Sequence, residues 1–202
     1  MAIGSSFWFW DKPSWGEAEL WALLFVFVPS FFIRVGGQRL IVGLFIGKDN
    51  RWSTSKLSVV LWTYAVLFAF VAILLHTRGR GLDNISLSDQ YLLLLGVPAG
   101  SAVAAAWVTQ SRIQMGTLAK VSAPSPPNTL DGLGQLVSDD AGNADLLDTQ
   151  YFAFNLLLVA YFLMQFLTGE SPKLPELPGT LVGLTGVSAV SYIAKKGLKT
   201  IP

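Results

Sequence analysis

The chain has no cysteine, a single histidine and few charges. Without cysteine there is no disulfide framework, no iron–sulfur cluster and no thiolate zinc site. One histidine cannot supply a histidine-based metal site, and a catalytic triad also needs a nucleophile and an acid beside it. His76 stands at the end of an apolar run next to Thr77 and Arg78, where an interfacial residue is the better reading. Charged residues are 13% of the 202, about half the usual share. Fourteen Lys and Arg against 13 Asp and Glu leave a formal net charge of +1, so nothing draws the chain globally to polyanions. These absences argue against a soluble enzyme, a nucleic-acid binder and a disordered tail.

What is present in excess is apolar sequence. Hydrophobic residues make up 52% of the chain, with a mean hydropathy of +0.51. Four windows hold no charged side chain: Leu57–Leu75, Leu92–Thr109, Phe152–Leu167 and Leu177–Ala194. As helices they are about 24–29 Å long, enough to cross a hydrocarbon core once interfacial residues are included. A fifth span is expected over Leu20–Ile33 although it is short and carries Pro29, with Arg34 snorkelling so that the usable run reaches Val35. Trp8, Trp10, Trp15 and Trp21 lie at its start, as an aromatic interface belt should. Leu40–Gly47 is too short to cross and is expected to lie along or hook into the surface. The N-terminal residues lack the pattern expected of a signal peptide, and the first span is expected to act as its own insertion signal.

The expected fold class is therefore all-α, an integral membrane helical bundle of five spans. Charge bias orients it. With the N-terminus outside, the outside segments hold Lys12, Arg78, Arg80 and Lys173. The inside segments hold Arg34, Arg39, Lys48, Arg51, Lys56, Arg112, Lys120, Lys195, Lys196 and Lys199. An excess of Lys and Arg on the cytoplasmic side is the usual arrangement, giving N-out, C-in.

The last four spans look duplicated. Ser53–Ser58 aligns with Asp145–Gln150, Trp62-Thr63 with Phe154-Asn155, and Leu95–Ala99 with Thr185–Ala189 after a small change in loop length. Two units that each contribute two spans enter from the same side, as parallel two-helix repeats. The domains expected are residues 1–47, with the aromatic segment, first span and interfacial stretch; 48–110, the first repeat; 111–144, an inside linker rich in Pro and Gly that reads as a mobile connector; and 145–202, the second repeat with its basic tail.

Asp49-Asn50-Arg51-Trp52-Ser53-Thr54-Ser55-Lys56, followed by Leu61-Trp62-Thr63, resembles the polar-to-membrane junction of a group of bacterial multi-pass inner-membrane proteins with no assigned activity. In those, a D-G-R-x-S-L-S-R-x-Q stretch leads into a span carrying W-T. The second copy, Ser138–Gly142 with Asp145 and Gln150, then Leu174–Pro178 and Leu184–Ala189 with Tyr192 and Lys195, is similar to that group's second half. The resemblance covers residues 45–197, and the first copy departs from it at Asn50, Thr54 and Ser58. It implies a multi-pass topology in a bacterial inner membrane and supplies no mechanism.

Candidate chemistry is sparse. Asp139, Asp140, Asp145 and Asp148 cluster before the third long window, but an EF-hand spacing is missing, so a turn and a helix N-cap are the better reading. Inside the spans the notable polar residues are Thr63, Asn155 and Gln165. With Tyr151, Leu158 and Phe162, Asn155 and Gln165 follow a 4-3-4-3 spacing that predicts one helix face, and Thr63 is the repeat counterpart of Asn155. Gly96, Gly100 and Ala104 form one small-residue ridge, and Gly179, Gly183 and Gly186 another; both are expected to pack helices closely, between the two repeats or between subunits. No Asp, Glu, Lys, Arg or His occupies the middle of a span, which argues against proton-coupled transporters and ion pumps.

No catalytic, cofactor-binding or metal-binding residue is therefore expected, nor a nucleic-acid partner. The partners expected are the lipid bilayer and other membrane subunits, copies of this chain or different ones. Two functions follow: a non-enzymatic subunit that anchors or organises a membrane assembly, or a small oligomeric channel with its path between subunits. A Thr63/Asn155/Gln165 face turned to a wet axis would favour the channel. The same face packed dry would favour the anchor.

Overall fold

A computed structural model describes residues 13–35, 37–47, 50–79, 89–114, 129–138, 143–169 and 173–198. Among them are seven helices and one two-stranded ribbon. Helix α1, Trp15–Phe32, begins with a capping box in which Ser14 and Glu17 satisfy each other's backbone N–H. It ends earlier than the expected Val35. Ile33 is extended, and Arg34–Val35 (β1) pairs antiparallel with Gln38–Arg39 (β2), the chain reversing through Gly37 at φ +82°. Only a residue without Cβ takes that φ freely, so Gly37 turns the chain back where Arg34 was expected to prolong the span. A single turn, α2 (Leu40–Gly43), follows within the stretch judged too short to cross.

Helix α3, Thr54–Thr77, starts at the Ser53 cap and stops at Arg78 and Gly79, both left-handed. Helix α4, Asp89–Gln114, outruns the boundary expected at residue 110. Helix α5 is Thr129–Leu136, α6 is Leu146–Thr168 with Asp145 as N-cap, and α7 is Gly179–Leu198. Four of these, α1, α3, α6 and the Asp89–Val108 part of α4, are long and apolar enough to cross a membrane. The composition that marked the C-terminal window is interrupted in α7, because its helix includes Lys195 and Lys196. Its first turn also starts only at Gly179, after Leu177 and Pro178.

Helix α3 is the centre. Helix α1 runs antiparallel to it: Trp15 meets His76 at one end, and Ser30 meets Tyr64 further along. Helices α4 and α6 also lie against α3, and α7 packs against both α4 and α6. The main core joins Trp62, Ala65, Phe68, Ala69 and Ile73 of α3 to Ala22 of α1, Tyr91 and Leu94 of α4, and Leu158, Phe162 and Phe166 of α6. Small residues at α1–α3, with Ala18, Ala22, Ala69 and Ala72 fully buried, bring those two helices close.

The linker holds more structure than its Pro and Gly content suggested. Leu130, Leu133 and Leu136 recur at helical spacing, and α5 docks on the start of α3 through Leu136. Thr54 Oγ1 donates to the Leu136 carbonyl at 2.8 Å, and the Trp52 N–H donates to Gln135 Oε1 at 2.9 Å. The Trp52 ring lies where a Cβ on Gly132 would be, so Gly132→Ala forces the two apart. We expect about 1–3 kcal/mol of destabilisation from such overpacking. Faster proteolysis around residues 129–138, with the rest of the chain protected, would mark it as release of α5; an unchanged cleavage pattern would contradict the docking.

Candidate functional site

The most polar part of the interior is one face of α6 at the end of the bundle that carries Lys195. Asp145, Asp148, Tyr151 and Asn155 follow at three, three and four residues, so they stack along one side of the helix. Asp145 caps α6, accepting from the Leu147 and Asp148 N–H groups at 3.0 and 3.1 Å. Lys195 of α7 places its Nζ 2.7 Å from Asp145 Oδ1 and 3.0 Å from Asp148 Oδ2. Burial raises the Asp145 pKa, but the hydrogen bond from Lys195, the backbone N–H donors and the ammonium charge together hold it below the ordinary value. An ammonium thus sits where a metal cation would have to bind.

One turn deeper, Tyr151 is fully buried, its ring stacked on Tyr192 of α7 at 5.2 Å and its hydroxyl 2.9 Å from Ser101 of α4. Deeper still, Asn155 is 0% exposed. Its Nδ2 donates to the Tyr151 carbonyl at 2.8 Å, and its Oδ1 accepts from Trp62 Nε1 at 3.3 Å. Beyond Asn155 the face turns apolar with Leu158, Phe162 and Phe166. The antiparallel register of α6 and α7 explains the pairing: one turn along α7 from Lys195 to Tyr192 answers one turn along α6 from Asp148 to Tyr151. The spacing of Lys195 and Tyr192 was visible in the sequence, but which helix they face was not.

The three polar residues expected on a common face are not brought together. Asn155 is buried between α6 and α3, whereas Thr63 and Gln165 are exposed. Gln165 bonds to Tyr161 of its own helix at 3.3 Å. The buried stripe continues from Phe162 to Phe166, four residues on, because at 3.6 residues per turn the step of three falls on the other side. In α3 it is Trp62, not the aligned Thr63, that meets Asn155, a rotation of one residue.

The small-residue ridges face largely outward. Gly96, Gly100, Gly179 and Gly183 are exposed, and a Cβ at any of them, or at Gly186, would meet nothing within 4 Å. Ala104 is half-buried. Gly183 and Gly186 border an apolar groove of about 200 Å³ shared with Val97 and Pro98 of α4. The backbones of α4 and α7 are therefore not drawn together at these glycines. Trp15 does not sit only in an interface belt: it packs edge-on against His76 and Phe166, each at 5.3 Å. Trp21 is 60% exposed, and Trp8 and Trp10 lie outside the described residues. Asp139 and Asp140 also lie outside them, and among the described residues no three His, Cys, Asp or Glu gather as metal ligands.

The site is a set of helix-to-helix contacts whose polar atoms serve one another. It defines a helical chain with four helices fit to cross a membrane and a buried, hydrogen-bonded polar cluster in its interior. No family model, curated protein or solved structure matches the chain.

Proposed function

We propose that this protein is a non-enzymatic integral membrane subunit that anchors or organises a larger assembly. It lies in a bacterial inner membrane by five spans, N-terminus outside and C-terminus inside. The observation that carries the reading is Asn155, fully buried and bonded to Trp62 and to its own helix, with Thr63 and Gln165 elsewhere. A channel needs polar groups around a shared wet axis; here the deepest polar group is buried between α3 and α6 with protein partners.

Helix α7 is the fifth span in this reading, supported by its course along the height of α6. Near one end of that course Tyr91 donates to the Pro175 carbonyl, and at the other Lys195 meets Asp148. The last four spans form two parallel repeats. In support, features of the first junction recur 92 residues later: the bridge Ile46–Trp52 as Ser138–Ala144, the cap Ser53 as Asp145, and the cap's backbone bond to Phe45 as one to Val137.

The open glycine faces of α4 and α7 are the surfaces offered to other subunits, since small residues let helices approach. The test is the mass and composition of the intact particle taken from its native membrane in nanodiscs. A fixed-stoichiometry heteromer is expected. Gly100→Leu with Gly183→Leu should release the partner while leaving the stability of the isolated chain within about 0.5 kcal/mol, as for surface substitutions away from special features. A symmetric homo-oligomer whose conductance falls with Asn155→Leu would instead establish the channel, and a lone monomer would overturn both.

A further inference from the structure

The ribbon after α1 holds two like charges face to face. In its register Arg34 is directly opposite Arg39, and Val35 opposite Gln38. The Leu40 N–H donates to the Ile33 carbonyl at 2.8 Å, which makes Arg34–Arg39 the non-hydrogen-bonded pair, the kind whose side chains lie closer. Opposed residues share a face, so both guanidinium groups leave the same side of the ribbon. Both arginines are exposed, and neither has an ion-pair partner among the described residues. Like charges directly opposite each other destabilise a ribbon, and an anion between them reverses the sign.

The surroundings specify the anion. The pair follows directly on the last turn of a helix fit to cross a membrane. Phe32, Ile33 and Val35 beside it are 80%, 47% and 63% exposed. A ligand that meets both features has a phosphate at the arginines and hydrocarbon at Phe32, Ile33 and Val35. Guanidinium forks match phosphate oxygens two at a time, and basic segments next to membrane helices attract anionic lipids. We propose that Arg34 and Arg39 form a clamp for the headgroup phosphate of an anionic phospholipid.

The test uses the full chain in phosphatidylcholine nanodiscs containing phosphatidylglycerol, with the lipid retained on release read by native mass spectrometry. Losing one arginine should cost retention roughly fivefold or more. Because a clamp needs both forks, R34Q/R39Q should cost little beyond either single change. R34K/R39K keeps both charges but should lose retention too, since ammonium groups lack the fork. In phosphatidylcholine alone, R34Q and R39Q should leave the thermal midpoint unchanged or higher, because the opposed charges are relieved. K173Q, which removes one charge near the opposite end of the bundle, should retain lipid as the unaltered chain does. Native retention by R34Q/R39Q, equal loss with K173Q, or losses that simply multiply would each overturn the clamp. Displacement of the lipid by equimolar inorganic phosphate would assign the arginines to a free anion and overturn it as well.

Discussion

Trp62→Ala is expected to unfold the detergent-solubilised bundle more readily than any other single truncation in α3. Trp62 is fully buried at the junction of α3 and α6, against Phe162, and it is the donor to Asn155 Oδ1. Removing the ring leaves a cavity in a close-packed interior and a buried amide oxygen without its donor. Large-to-small changes of this kind cost about 3–5 kcal/mol. Trp62→Phe keeps a six-membered ring but removes the hydrogen bond and part of the indole, so a smaller loss of about 1–3 kcal/mol is expected. Reversible unfolding in mixed micelles reads both. Equal, small effects would mean that α6 does not rest on Trp62.

Lys195→Met is expected to have an effect of similar size by a different route. It takes the ammonium from between Asp145 and Asp148, whose side chains are 21% and 4% exposed. Removing one partner from a buried ion pair costs about 3–5 kcal/mol, because a charge is left in a poorly hydrated place. Adding Asp148→Asn to Lys195→Met removes that charge and should restore much of the loss. Full stability of Lys195→Met at neutral pH would contradict the pairing.

The pH dependence has a definite sign. In the folded protein the Asp145 pKa lies below its ordinary value, so Asp145 adds stability above the usual carboxylate pKa of about 3.9. That contribution is lost as pH falls below this value and through the lowered folded pKa. The stability lost on acidification should therefore be smaller in Lys195→Met, where Asp145 no longer has the ammonium that lowers its pKa, than in the unaltered chain, as read from unfolding free energies measured between about pH 6 and pH 3.

The parts of the fold readable in advance were those set by local rules. Uncharged runs of membrane length became helices α3, α4 and α6 because a backbone in hydrocarbon must satisfy its own N–H and C=O groups, which a helix does within one segment. Asp145 became a cap because its short side chain reaches the free N–H groups of the first turn. The aligned junctions at Ser53 and Asp145 came out as matching caps for the same reason. Local composition misled at residues 129–136, where Pro and Gly nearby obscured three leucines at helical spacing, and at Arg34, where Gly37 turned the chain back.

Composition and charge spacing alone establish a helical chain with runs apolar enough to cross a membrane, roughly where its helices lie, and the absence of cysteine chemistry. Which polar residues meet is set by how the helices pack. A rotation of one residue, about 100° around a helix, puts Trp62 rather than Thr63 on Asn155 and leaves Gln165 outside the core. It also sets Lys195 against Asp148 and turns the glycines of α4 and α7 outward. Helix rotation is fixed by how side chains of different helices interlock, and that information is spread over partners far apart in the chain.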